Sequence, residues 1–240
     1  MKNIILFSLL ALVIFSCNDR HKSEKDYVIF EVNPKTEHIQ FYWKNDSGQV
    51  IKSLNNLKKY VESKNETLKF AMNGGMFEIN NIPKGLYIEN SKILNKIDTS
   101  TGNGNFYLQP NGVFYLTKNN EPKIVETQKF RYTINIEYAT QSGPMLLINK
   151  SINPIFQEQS KNLNIRNGVG ILENGNVVFV MSKNEVNFYN FALLFKELGC
   201  KNALYLDGFV SRTYLPEKNW VQEDGDFGVM IGVTESEKQN

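Results

Sequence analysis

Apolar residues recur along this chain in short runs separated by polar, glycine-bearing turns, and the spacing inside each run sets the element it predicts. Residues 27–32 and 38–43 are apolar-rich and are joined by Asn33, Pro34, Lys35 and Thr36, a connection that predicts a hairpin. Ser53 precedes Leu54, Leu57, Tyr60 and Val61, a helical spacing behind an N-cap residue, so an amphipathic helix is expected over 53–63. Residues 67–72 read as a buried strand that empties into Asn73, Gly74 and Gly75, and 112–116 and 145–148 are further strands. Residues 169–172 and 177–181 flank Asn174 and Gly175, the strongest short-range hairpin signal. Phe188, Phe191, Leu194, Phe195 and Leu198 mark one face of a second helix that stops at Gly199. A short apolar strand over 203–206 ends at Asp207 and Gly208, and 227–233 reads as a closing strand.

The first sixteen residues stand apart from this pattern. Lys2 supplies a positive start, and residues 4–15 are apolar except for Ser8, the length of a signal-peptide core and too short for a membrane span. Ser16 and Cys17 follow, then a polar stretch to Asp26. This resembles a bacterial lipoprotein signal, cleaved before Cys17 with acylation of that residue. The expected order is a signal peptide over 1–16, a lipidated Cys17 with a polar tether to 26, and a folded domain over 27–240. The expected location is the bacterial cell envelope, with the exported protein held at the membrane by its lipid anchor.

Composition narrows the rest. The chain has 240 residues, of which 41% are hydrophobic and 12% aromatic, enough for one substantial core. Sixteen Gly, seven Pro, 16 Phe and 11 Tyr favour short strands and turns. No repeat or composition break divides the domain, so the expected fold class is α+β, with a strand-rich mixed sheet core and a few flanking helices. A net charge of +2 announces no nucleic-acid partner. Only two histidines are present, His21 and His38, which argues against a Ser-His-Asp triad or a multi-histidine metal cluster. Cys200 is the second of two cysteines. With Cys17 lipidated it forms no internal disulfide, and it reads as a small buried hydrophobe.

Four polar segments stand at strand ends, where sequence-distant residues meet. Asn73, Gly74 and Gly75 offer an amide and successive backbone N–H groups, against the alternative of a simple glycine turn. Gln141 and Ser142 supply neutral groups suited to carbohydrate, with Gly143 and Pro144 fixing the turn, or the segment is only a loop. Arg166 carries a planar guanidinium matched to two phosphate oxygens, or to a surface ion pair. Asp207, with Gly208 and Ser211, places a carboxylate at the end of an apolar strand, as a catalytic group or an Asx turn. Asp224 and Asp226 read as a turn rather than a calcium site, and no metal or cofactor is assigned.

In this order and spacing the four segments resemble the phosphodiester glycosidase family, in its bacterial branch. The resemblance extends over residues 27–234 and takes in Gly104 to Leu108, Pro110 to Phe114 and Val186 to Tyr189. The chain departs from it in placing Phe209 and Val210 between Gly208 and Ser211. The resemblance implies a hydrolase that cleaves the glycosidic bond of a sugar 1-phosphodiester in envelope or extracellular glycans, with Asp207 catalytic. It implies that Asn73, Gly74, Gly75, Gln141, Ser142, Gly143, Arg166, Gly208 and Ser211 bind the substrate. Glu78 is the acid nearest a motif, either a second carboxylate or a surface residue. The alternative is a lipoprotein that binds glycan or phosphosugar without turnover.

Overall fold

The computed structural model describes residues 25–208 and 210–236. The expected signal peptide over 1–16, Cys17, most of the expected tether and Phe209 lie outside the described residues.

Three sheets carry the architecture. The first has six strands in the order Tyr27–Val32 (β1), Val177–Ser182 (β14), Asn167–Leu172 (β13), Cys200–Asp207 (β15), Met145–Ile148 (β11) and Ser151–Ile152 (β12). The second has five: Trp220–Val221 (β17), Thr213–Leu215 (β16), Glu66–Asn73 (β3), Met230–Ser236 (β18) and His38–Tyr42 (β2). The third orders Lys92–Asn95 (β7), Tyr87–Glu89 (β6), Ile136–Ser142 (β10), Gly112–Thr117 (β8) and Pro122–Glu126 (β9). A short ribbon pairs Phe77–Glu78 (β4) with Ile82–Pro83 (β5).

Period-2 alternation explains why the runs are almost wholly apolar. In β14, Val177, Phe179 and Met181 face a central core, while Val178 and Val180 face outward under a helix. All three sheets feed that central core, with Phe30 and Leu204 from the first, Phe41 and Phe70 from the second, and Tyr87 and Phe114 from the third. The outward face of the second sheet is covered by Leu54–Glu62 (α1), which buries Leu54, Leu57 and Val61 and is capped by Ser53 accepting from the Asn56 N–H. The outward face of the first is covered by Phe188–Glu197 (α2), capped by Asn187 and ended beyond Leu198 at Gly199, whose φ is +84°.

The expected helices and the Asn174-Gly175 hairpin are present, with Ile171 facing Val177 across the turn and Gly175 at φ +86°. Two expectations differ. The fold is mainly β, and every neighbouring strand pair in the described residues is antiparallel, so the sheets are not mixed. Residues 27–43 also form no hairpin: β1 pairs with β14 and β2 with β18. The turn at Asn33 carries the chain from one sheet to another, so that Phe30 and Phe41 reach the same core from different sides. β1 gains six register pairs with β14, more than a five-residue partner in a local hairpin offers.

Candidate functional site

Strand ends of the first two sheets converge where β3 finishes at Asn73, β13 begins at Asn167 and β15 finishes at Asp207. Asn167 and Asp207 are register partners. The Asn167 amide nitrogen donates to the Asn73 carbonyl (2.9 Å) and to Asn73 Oδ1 (2.8 Å), and Asn167 Oδ1 accepts from the Asp207 N–H (2.8 Å). The Arg212 N–H adds a second donor to Asn73 Oδ1 at 3.0 Å. Beyond β15 the chain turns tightly. The Gly208 N–H donates to Asp207 Oδ1 (2.7 Å), and the Ser211 hydroxyl donates to the Asp207 and Gly208 carbonyls at 2.8 and 3.1 Å. The structure thus brings together Asn73, Asp207, Gly208 and Ser211, with Asn167 and Arg212 as members that the residue pattern did not single out.

Arg166 precedes Asn167 and is fully buried. Its Nε donates to the Val186 carbonyl (2.7 Å), and Nη2 donates to Asn162 through the carbonyl (2.9 Å) and Oδ1 (3.1 Å). The guanidinium lies 3.6 Å from the centre of the Phe188 ring and also faces Tyr205. None of these partners is a carboxylate. Burial lowers the guanidinium pKa, while the neighbouring Tyr205 works in the opposite direction. Burial likewise raises the Tyr205 pKa, with Arg166 opposing and Asp207 adding to the rise. An arginine in such a place keeps its charge, because its intrinsic pKa is so high. Arg166 and Asp207 are the two charged side chains that are buried among the described residues.

The middle segment has a different task. Gln141 Oε1 accepts from the Leu86 and Asp98 N–H groups, each at 2.9 Å, and Nε2 donates to the Asp98 carbonyl (2.6 Å) and the Thr127 hydroxyl (3.4 Å). Both acceptor positions and both donors are spent on the protein, so this side chain clamps the third sheet to its loops. Ser142 donates to the Leu206 carbonyl at 2.7 Å, joining that sheet to the end of β15. The glycines serve close packing. A β-carbon at Gly74 would meet Ile231 at 2.5 Å, one at Gly75 the Thr140 hydroxyl at 2.7 Å, and one at Gly143 the Asn111 β-carbon at 2.5 Å. Protein atoms stand over these three α-carbons, so a side chain at any of them would collide with the fold itself.

Buried polar atoms are paired throughout the described side chains with three exceptions: Asn73 Nδ2, Asn111 Oδ1 and Arg166 Nη1. Asn73 and Arg166 belong to the motif segments, and Asn111 packs against Gly143. The orientation of Asn111 follows from its Nδ2, which donates to the Phe106 carbonyl at 3.0 Å and leaves Oδ1 as a spare acceptor. Asn167, Tyr205 and Asn111 lie inside or beside the motif text, so their position in the chain was a usable signal; their partners were not.

The remaining candidates lie elsewhere. Glu78 is exposed and pairs with Lys84 at 3.3 Å. Asp224 pairs with Arg212 and Asp226 with Lys52 and Asn81, and no group of three metal-ligating residues occurs among the described residues. Cys200 is buried against Gly170, as a small hydrophobe would be, and burial pushes its thiol up to about 12. A cavity of about 140 Å³ lined by Gln40, Tyr42, Tyr60, Glu89 and Tyr138 shares no residue with this constellation.

Comparison with known proteins follows the same lines. A 37% identity over 219 residues links the chain to the uncharacterized protein YigE of Escherichia coli (strain K12), covering 90% of this chain and 85% of that one. Among solved structures, the fold is similar to the zebrafish N-acetylglucosamine-1-phosphodiester alpha-N-acetylglucosaminidase catalytic domain auto-inhibited by its pro-peptide. That match has a TM-score of 0.62 at 14% identity and covers 88% of this chain and 83% of the other. A hypothetical protein from Synechocystis matches with a TM-score of 0.52 at 13% identity, covering 87% and 59% of the two chains. The phosphodiester glycosidase family model matches residues 66–234, a stretch that contains Asn73, Asn111, Arg166, Asn167 and Asp207. The chain belongs to the phosphodiester glycosidase family.

Proposed function

We propose that this protein hydrolyses a sugar 1-phosphodiester at its glycosidic bond. The observation that carries the reading is the set of three unpartnered buried polar atoms on the motif segments and their neighbour. Two are donors, Asn73 Nδ2 and Arg166 Nη1, and one of these belongs to a cation with no carboxylate partner. They suit the oxygens of a phosphodiester. The third, Asn111 Oδ1, is an acceptor and suits a sugar hydroxyl or amide N–H, which a phosphodiester lacks.

Asp207 is the carboxylate assigned to the reaction. It takes a proton from the attacking water as the water oxygen bonds to the anomeric carbon. The anomeric C–O bond breaks and its electron pair leaves on the phosphate oxygen, giving free sugar and a phosphomonoester. A phosphate is a weakly basic leaving group, so this route needs charge stabilisation from Arg166 more than a strong second acid. The same scarcity of acids supports a second reading, in which the site captures phosphosugar without turnover, because glycosidases commonly use two carboxylates.

We also propose that acylation of Cys17 holds the domain at the bacterial envelope, a reading supported by the apolar run before it. The test of the activity is a screen of residues 27–240 against sugar 1-phosphodiesters, with free sugar and phosphomonoester measured together. Equal release of both supports hydrolysis. Binding without release by the folded domain supports the second reading.

A further inference from the structure

Asn73 is held by two donors on one side. Its Oδ1 accepts from Asn167 Nδ2 and from the Arg212 N–H, and its main-chain carbonyl also accepts from Asn167 Nδ2. Turning the Asn73 carboxamide over would set its NH2 group against two hydrogen donors. The orientation is therefore fixed by its surroundings, and the amide nitrogen is left buried without a partner. The opposite end of Asn167 accepts from the Asp207 N–H, at the residue where β15 ends. One buried amide on the first sheet thus governs two groups, the donor of Asn73 on the second sheet and the main chain that carries the Asp207 carboxylate.

We infer that Asn167 is a positioning residue for the reaction, which presents the Asn73 NH2 group to a phosphodiester or sugar oxygen and pins Asp207 in place. The inference rests on the proposed hydrolysis and adds to it a residue that acts through Asn73 and Asp207 rather than by touching substrate. The charged residues beside Asn167 are Asp207, its register partner on β15, and Arg166, the residue just before β13. Arg212 enters through its main-chain N–H, while its side chain is engaged with Asp224.

Two substitutions separate the two ends. Asn167→Asp has nearly the same volume and keeps an oxygen for the Asp207 N–H. It has no hydrogen for Asn73 and sets a carboxylate against two oxygens. The Asn73 amide should then turn its NH2 group toward the new carboxylate and withdraw it from the ligand. Asn167→Leu removes both ends. With methyl N-acetylglucosamine 1-phosphate as substrate, Asn167→Asp should raise KM about tenfold, the loss of roughly one hydrogen bond, with kcat within about threefold of wild type. Asn167→Leu should raise KM and lower kcat together. If both variants show only a lower melting temperature, with wild-type KM and kcat for the folded fraction, the amide is structural and the inference is overturned.

A second readout does not depend on turnover. The Asn73 side-chain NH2 resonances in a 1H–15N spectrum should move downfield in ligand-free Asn167→Asp, because the group gains a charged acceptor. If the wild-type protein cleaves no phosphodiester, the proposed hydrolysis fails, and this spectrum still decides whether Asn167 sets Asn73. Unmoved Asn73 resonances in the folded variant overturn the inference, whatever the activity.

Discussion

The hydroxyl of Tyr205 occupies the place where a β-carbon on Gly208 would sit. Tyr205 faces the Arg166 guanidinium, and Gly208 donates its N–H to Asp207. The turn that follows β15 is therefore in direct contact with the wall around the buried cation. A change at either residue reaches both.

Gly208→Ala should destabilise the protein by about 1–3 kcal/mol, the usual cost of overpacking a filled site. Adding Tyr205→Phe removes the clashing oxygen but leaves the ring close by, so it should restore part of the loss. Urea unfolding of the two single variants and the double variant measures the coupling. Strictly additive losses would show that the two residues do not compete for the same space.

Arg166→Lys keeps a charge and loses the planar fork that serves Val186, Asn162 and the spare Nη1. N-acetylglucosamine 1-phosphate at a hundredfold excess over Kd should stabilise the wild-type protein by about 2.7 kcal/mol. In the variant that protection should largely vanish, as read by melting curves with and without the compound. Equal protection of both proteins would place the phosphate away from Arg166.

Asp207→Asn keeps the size of the side chain and an oxygen for the Gly208 N–H. It removes the charge and the proton acceptor. We expect kcat to fall by about a hundredfold or more, with melting temperature and ligand affinity little changed. Wild-type kcat in the folded variant would remove Asp207 from the chemistry and leave it as a turn residue.

Cys200 should resist modification in the native state. Its thiol, pushed up to about 12 by burial, keeps its proton at pH 8, while an unfolded chain has an ordinary thiol. The raised value also fixes the sign of a stability effect. The contribution is complete below the unfolded pKa, near 9, and is lost as pH climbs toward 12. Iodoacetamide at pH 8 should label residues 27–240 in urea and leave the native domain unlabelled. Rapid native labelling would contradict the burial.

Cys17→Ala should abolish incorporation of a radiolabelled fatty acid by cells making the full chain. No helix among the described residues is long and apolar enough to cross a membrane, so none of them offers a substitute helical anchor. Label retained by the variant would reject the acylation site.

Some of this molecule was legible in the order of its residues because the deciding interactions are local. The Asn174-Gly175 hairpin depends on a backbone with positive φ at Gly175 and on bonds between neighbours such as Leu172 and Asn176. The caps at Ser53 and Asn187 each reach only three residues ahead. Motif text placed Asn73, Arg166 and Asp207 at strand ends, and the first two sheets put them there, with Asn73 and Asp207 closing β3 and β15 and Arg166 just ahead of β13. Other features had no local cause. The turn at Asn33 looks like a hairpin, yet which strand pairs with β1 is settled by β14, about 150 residues away, and by the core that both sheets must share. The third sheet was largely invisible, since β7 is short and mostly exposed and β9 begins with Pro122 and Lys123. Gln141 looked like a ligand contact because an amide in a loop carries no mark of what will satisfy it, and only folding brings Leu86, Asp98 and Thr127 to its four positions. Asn167 is the same case in the site itself. Its partners, Asn73 and Asp207, lie 94 and 40 residues away, and a hydrogen bond is decided by distance in space, which the linear chain does not contain.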